Sequence, residues 1–339
     1  WMMVIYKSSM LQSKKKSFNQ IKIHSQYSIC EGALKIENLK EYCKKNKIQS
    51  VGLSDTYNLS GALEFSENIS SVGTQPIIGS QVQFKFKNTY GLIPLIAKNY
   101  NGYKNIIELS SKAYLENVDN DQPHCSIEDL TKYSDGIIVL SGAINNLIGN
   151  MFNKGLFEEL DELITILNNN FKENFYLEIQ RHGDKNEKEF EFFNLNVSKK
   201  YQIPIIATNE VYYLDKEMHE AHDALMCIGQ KTYINDQKRL KLTNNHYLKS
   251  SAEMDEIFKD LPEALENNYN LPFRCNFRPI PSKPILPNII TDTVNIDDKL
   301  KNDSLKGLEE KFKIDPELIN KISNNIKIKE TYKDRLNHE

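Results

Sequence analysis

The chain has 339 residues, 40% hydrophobic, 26% charged and 10% aromatic, proportions that exclude collagen-like, coiled-coil and wholly disordered classes. Its 43 Lys and Arg against 46 Asp and Glu leave a net charge of −3, so no global basic surface points to nucleic acid or membrane, and any such surface has to be local. The length allows two domains or one large barrel with an appendage.

Residues 1–20 read as a loose leader. Trp1-Met2-Met3-Val4-Ile5-Tyr6 is apolar, but Lys7 and Lys14-Lys15-Lys16 interrupt it too early for a signal-peptide core or a membrane span. Short β-branched runs then alternate with helical patterns. Ile21-Lys22-Ile23-His24 is a strand, a helix covers roughly 34–46, and Ile48 to Leu53 is the next strand. Ala62 to Phe65 is helical, strands fall near Ile77-Ile78 and from Leu92 to Ala97, and a helix runs from Tyr103 to Ala113. Gly136 to Ser141 has the uniform apolarity of a buried strand. Leu160, Leu163, Ile164 and Leu167 space a helix over 156–167, Phe175 to Ile179 is a strand, a polar helix spans about 185–200, and Ile203 to Ala207 is a strand.

About seven strand-then-helix units favour an α/β barrel or a doubly wound sheet, because parallel strands need crossover helices. His24, Asp55, Gln81, Ser141, His182 and Asn209 with Glu210 each fall where a strand ends, and a parallel barrel brings such ends to one face. No GxGxxG or GxxxxGK[ST] loop follows a strand, which weakens a nucleotide-binding alternative. After residue 270, Pro272, Pro279, Pro281, Pro284 and Pro287, five of the chain's 11 prolines, mark a border that regular helix or central strand cannot hold. Residues 298–339 are rich in Lys, Glu and Asn with modest helical periodicity, and stop as though a longer protein continued.

Several features have structural readings of their own. Cys30, Cys43, Cys125, Cys227 and Cys275 are scattered and never spaced CxxC, which argues against a disulfide framework or structural zinc and fits a reducing cytoplasm. His219 and His222 share a helical face without an HExxH frame and read as a packed or capped pair. Ser141-Gly142 lacks the GxSxG frame of a nucleophile elbow. The basic run Lys231, Lys238, Arg239 and Lys241 after a helix at 215–228 reads as an exposed loop ahead of a DNA contact.

Ile23-His24-Ser25-Gln26-Tyr27-Ser28, Glu31-Gly32-Ala33, Leu53-Ser54-Asp55-Thr56-Tyr57-Asn58 through Phe65, and Gln75-Pro76-Ile77-Ile78-Gly79 resemble the N-terminal polymerase-and-histidinol-phosphatase (PHP) domain of bacterial DNA polymerase III alpha subunits. Ala207-Thr208-Asn209-Glu210 and the stretch from Phe277 to Pro287 continue the resemblance in order. It implies a distorted (β/α)7 PHP-type barrel over 21–270, a Pro-rich border over 271–290, and the truncated start of a second, mainly helical domain of the polymerase palm and thumb region over 291–339. It also implies strand ends holding up to three divalent metals that activate a water for phosphodiester hydrolysis.

On the family's ligand pattern, His24, Glu31, Asp55, Glu64, His182 and Glu210 remain as metal candidates, whereas Lys22, Thr56, Gln81, Ala143 and Tyr212 depart from it. An ammonium offers a metal no lone pair, and Ala143 and Tyr212 coordinate weakly or not at all at neutral pH. An empty polar pocket is therefore the expected state, with Zn²⁺ or Mn²⁺ there the alternative and Lys22 pairing with the remaining carboxylates in place of a cation. The resemblance implies a replicative DNA-directed DNA polymerase, a nucleotidyltransferase using Mg²⁺ on carboxylates beyond this region. It implies a non-catalytic scaffold role for the PHP part, a proofreading exonuclease subunit and other replicase subunits as partners, and DNA contacts mainly outside this chain. No membrane association is expected. The other enzymatic reading is a metal-dependent 3′–5′ exonuclease or phosphoesterase.

Overall fold

The computed structural model describes residues 16–116, 122–284, 295–325 and 327–338. The apolar opening, Lys14 and Lys15 of the basic run, and Pro287 of the border lie outside them. The chain divides into two compact units at Pro281 and Ser282.

In the first unit, β1 (Gln20–Ile23), α1 (Ile36–Asn46), β2 (Ser50–Thr56), α2 (Ala62–Ser71), β3 (Gln75–Phe86), β4 (Thr89–Ala97) and α3 (Tyr100–Leu115) come first. They are followed by β5 (Cys125–Ser126), α4 (Ile127–Lys132), β6 (Ile137–Leu140), α5 (Leu147–Asn153), α6 (Phe157–Phe171), β7 (Phe175–Ile179) and α7 (Glu187–Tyr201). The unit closes with β8 (Ile205–Ala207), β9 (Glu210–Val211), α8 (His219–Gln230), α9 (Ser251–Ile257) and α10 (Pro262–Asn270).

The strands form one sheet in the order β8-β7-β6-β4-β3-β2-β1-β9, with β5 on β3. Thr208 and Asn209 alone separate β8 from β9, the two ends of that order, and so short a link holds the ends side by side. The sheet therefore curls on itself as a barrel-like α/β fold. It departs from uniform parallel pairing at β4, which runs antiparallel to both β3 and β6, because the turn at Lys87-Asn88 joins β3 and β4 as a hairpin without a crossover helix.

Inside the curl, side chains segregate along the axis. Ile21, Ile77, Ile96, Ile138, Leu140, Tyr176 and Ile206 form one apolar cluster, sealed by Leu271 and Cys275 from the Pro-rich segment. Toward the strand ends the inward positions turn polar. A register shift in β1 between Gln20 and Ile23 accompanies Ile21 packing in the apolar layer while Lys22 joins the polar one. Helices cover the outer face through two further clusters, one including Leu39, Phe65 and Ile78, the other Leu95, Leu160, Leu163 and Leu177.

Two boundaries differ from the sequence reading. Phe18, Asn19 and Gln20, expected in a leader, are buried. Asn19 exchanges hydrogen bonds with Asn268 of α10, tying the segment before β1 to the last helix of the unit. The border residues 271–281 belong to the first unit, where the Gln75 side chain donates to the carbonyls of Pro272 and Cys275. All five cysteines are free thiols.

The second unit contains α11 (Ile296–Ile314), α12 (Pro316–Asn324) and α13 (Lys327–His338). Asp315 accepts from the N–H groups of Glu317 and Leu318 and sets Pro316 in the first turn of α12. Phe312 is the buried anchor, edge-on to Tyr332. Among the described residues, no helix is long and apolar enough to cross a membrane.

Candidate functional site: a filled polar cradle

The polar layer centres on Lys22. Its Nζ lies 3.0 Å from Glu178 Oε1 and 3.4 Å from Glu210 Oε2, with all three side chains almost wholly shielded from solvent. Burial alone would lower the basicity of Lys22; attraction to Glu178 and Glu210 outweighs it and raises the pKa above its ordinary value. Burial likewise opposes ionisation of Glu210, yet Lys22, His24 and Gln81 hold its carboxyl well below the usual carboxylate range. The cluster is an internal ion network at neutral pH.

Around it the acceptors are already engaged. His24, just beyond β1, places Nε2 3.0 Å from Glu210 Oε1, and Gln81 of β3 donates to the same oxygen at 2.5 Å. Asn146 donates to Gln81 Oε1 at 3.1 Å, which orients that amide with its nitrogen toward Glu210. Glu178 accepts from Gln180 at 2.6 Å and from the Thr208 hydroxyl. Tyr212 stacks on His24 with ring centroids 4.3 Å apart, and burial, then Glu210, push its phenol well above the ordinary value. It therefore stays neutral.

The other candidates are used locally. Asp55 accepts from Ser25 N–H at 2.7 Å and from the Ser25 and Ser28 hydroxyls at 2.8 and 2.7 Å, an arrangement that closes the loop after β1. Burial nonetheless raises its pKa, with those bonds only partly offsetting the desolvation. Glu31 accepts from Thr56 at 2.7 Å. Its neighbour Gly32 passes so close to the chain at Ser25 that a Cβ would stand 2.0 Å from the Ser25 carbonyl oxygen, so only glycine fits there. Glu64, on α2, accepts from Tyr27 at 2.6 Å and stays apart from the Lys22 network. His182 lies in the loop after β7 with Nε2 3.1 Å from Asn209 Oδ1, and Ala143 shares a narrow recess with Glu178, Gln180 and Glu187.

His24, Gln81, Lys22 and Glu210 thus converge, Thr56 bridges His24 to Glu31, and Asp55, Glu64 and His182 are held in separate bonds. Glu178, the main partner of Lys22, was missed. Its signal was the period-two polarity of Glu178, in an otherwise apolar strand, and Gln180 just beyond it, which puts both on one face. This donor set does not fit a cluster of cations: an ammonium stands between the two innermost carboxylates, and Gln81 presents an N–H where a ligand oxygen is needed.

Features outside the cradle have structural partners. The His222 ring donates to the carbonyl of Glu31 at 2.7 Å and His219 to that of Leu242 at 3.1 Å, fastening α8 to two loops. Arg239 forms a bidentate pair with Asp223, both contacts 2.6 Å, which removes one cation from the basic run.

Comparison with known proteins gives the following. Residues 20–182 match the PHP domain family model. The chain is 35% identical over 329 residues to DNA polymerase III subunit alpha of Rickettsia conorii, covering 95% of this chain and 27% of that protein. It is 32% identical over 310 residues to the Caulobacter vibrioides subunit (88% and 27%) and 34% identical over 308 to that of Vibrio cholerae (89% and 27%). The chain thus spans about a quarter of the length of these relatives.

Proposed function

From the premise that this is a PHP-domain chain of the kind found in DNA polymerase III alpha subunits, we propose that it is the N-terminal part of a replicative DNA-directed DNA polymerase whose PHP barrel is a non-catalytic scaffold. The parent protein transfers nucleotides in the cytoplasm, with Mg²⁺ held by carboxylates of its polymerase body. The barrel docks a proofreading exonuclease subunit and supports the rest of the replicase. DNA is gripped mainly by the polymerase body.

The observation that carries the scaffold reading is Lys22, buried between Glu178 and Glu210 at the centre of the barrel. Hydrolysis of a phosphodiester in such a site needs a metal to lower the pKa of water and to bear the developing charge. The ammonium supplies charge neutralisation without a coordination position, so the fold is kept and the chemistry is lost.

A pull-down of the matching exonuclease subunit by the purified chain tests docking, and capture is expected. Labelled single-stranded DNA incubated with the chain and Mn²⁺ or Zn²⁺ tests catalysis, and intact DNA is expected. Failure of capture removes the docking role; degradation that follows the chain through purification replaces the scaffold with a metal-dependent 3′–5′ exonuclease.

A further inference from the structure

We propose that His182, Asp184 and His246 form a divalent transition-metal site at the rim of the barrel, outside the network centred on Lys22. Ligand atoms of these three residues all lie within 4.8 Å of one another. Two of the three, Asp184 and His246, fall outside the ligand pattern inferred from the sequence.

The hydrogen bonds around His246 leave a lone pair turned toward Asp184. His246 Nδ1 is 3.2 Å from the carbonyl oxygen of Glu210, which can only accept, so the proton sits on Nδ1 and Nε2 is bare. That Nε2 is buried, has no hydrogen-bond partner, and lies 3.4 Å from Asp184 Oδ2, a second acceptor. Two acceptors facing each other in a buried setting call for a cation or a proton between them.

His182 brings a second unpartnered nitrogen. Its Nε2 lies 3.1 Å from Asn209 Oδ1 and receives the Glu210 N–H, which can only donate, at 3.2 Å. Nδ1 is buried and has no hydrogen-bond partner. With Nε2 accepting, the neutral ring carries its proton on Nδ1, 3.5 Å from Glu187 Oε1, and a metal binding at Nδ1 releases that proton.

The rings stack at 4.0 Å with 4° between their planes, which brings both imidazoles together beside Asp184. A carbonyl or amide oxygen behind each ring is the support that ligating histidines use to hold tautomer and aim. Two nitrogens and one carboxylate oxygen suit Zn²⁺, Co²⁺ or Ni²⁺ over Mg²⁺ or Ca²⁺ and leave a fourth position for water. Lys249, a nearby cation, is directed to Asn209 Oδ1 and the Asn245 carbonyl. The ion would bind the 243–249 segment to the loop after β7.

The test is calorimetric titration of the chelator-stripped chain with Zn²⁺, together with the visible d–d spectrum on adding Co²⁺. One ion per chain is expected, with affinity falling at least about 100-fold in Asp184→Asn and His246→Gln, since even supporting residues are worth 10–100-fold. Asp184 is partly exposed, so Asp184→Asn keeps the fold and is the decisive variant. Glu31→Gln, in the loop after β1, should bind like the parent. Absence of saturable one-to-one binding overturns the proposal, as does affinity indifferent to Asp184→Asn or lost in Glu31→Gln.

Discussion

Lys22 Nζ and Glu178 Oε1 meet 3.0 Å apart across the interior of the curled sheet, joining β1 to β7 with neither side chain exposed. Glu210 completes the trio at 3.4 Å. Removing the ammonium strands two buried carboxylates, whereas removing all the charges leaves a neutral, hydrogen-bonded layer. Lys22→Met is therefore expected to lose about 3–5 kcal/mol, and the triple variant Lys22→Met, Glu178→Gln, Glu210→Gln to regain much of it. Urea unfolding followed by circular dichroism checks both; a triple variant no more stable than the single one would refute an electrostatic origin.

The same trio sets a pH profile. Glu210 has a depressed folded pKa, so its stabilisation is present above the unfolded value of about 4.3 and is lost as pH falls through that value toward the folded one. Lys22 has a raised folded pKa, so its contribution is complete below the ordinary 10.5 and is lost as pH rises through the raised value. Urea midpoints measured across pH should fall at both ends on account of this pair. In the triple variant both of those losses should shrink; profiles identical to the parent's would mean that other groups set the limits.

Much of this was legible beforehand, and the exceptions share a cause. Strands such as Phe175 to Ile179 and helices such as Phe157–Phe171 carry their period in the sequence. The position of Lys22 in the ligand pattern and its charge already suggested an ion pair. The partner Glu178 was hidden because its strand reads as buried, and which face of a buried strand meets the interior depends on sheet closure. That closure rests on the two-residue link between β8 and β9, which no periodicity reports. The antiparallel β4 was hidden for a similar reason: a tight turn and a short crossover look alike until pairing is known. His246 lies in an irregular segment without a motif, and only packing beside His182 gives it meaning.

Asp55 separates a structural carboxylate from a catalytic one. Its oxygens hold Ser25 N–H and two hydroxyls, so Asp55→Ala leaves a buried N–H unmatched and should cost about 1–3 kcal/mol. In Asp55→Asn the amide oxygen keeps the Ser25 N–H while a rotated Ser hydroxyl accepts from the new NH₂. Loss of a charge disfavoured by burial offsets the weaker bonds, and stability should stay within about 1 kcal/mol of the parent. Thermal unfolding of the two variants side by side checks this. Equal, large losses would show that the charge itself is needed.

The last prediction concerns what the central layer would require to accept a metal. Gln81→Glu alone replaces the N–H that meets Glu210 at 2.5 Å with a second acceptor and adds a like charge, so it should destabilise at pH 7 and recover in part as pH falls toward about 4.3, because the like charge favours uptake of a shared proton that restores the bond. Combining Gln81→Glu with Lys22→His removes the competing ammonium and supplies an imidazole lone pair beside His24 and Glu210. Stability should then become cation-dependent: a metal that binds only the folded state adds about 2.7 kcal/mol at 100 times its dissociation constant. The measurement is the rise in unfolding midpoint with Zn²⁺ or Mn²⁺, compared in an Asp184→Asn background with and without the two central substitutions. A rise confined to the chain carrying them would show that Lys22 and Gln81 bar metal binding at the centre; equal behaviour of the two chains would show that they do not.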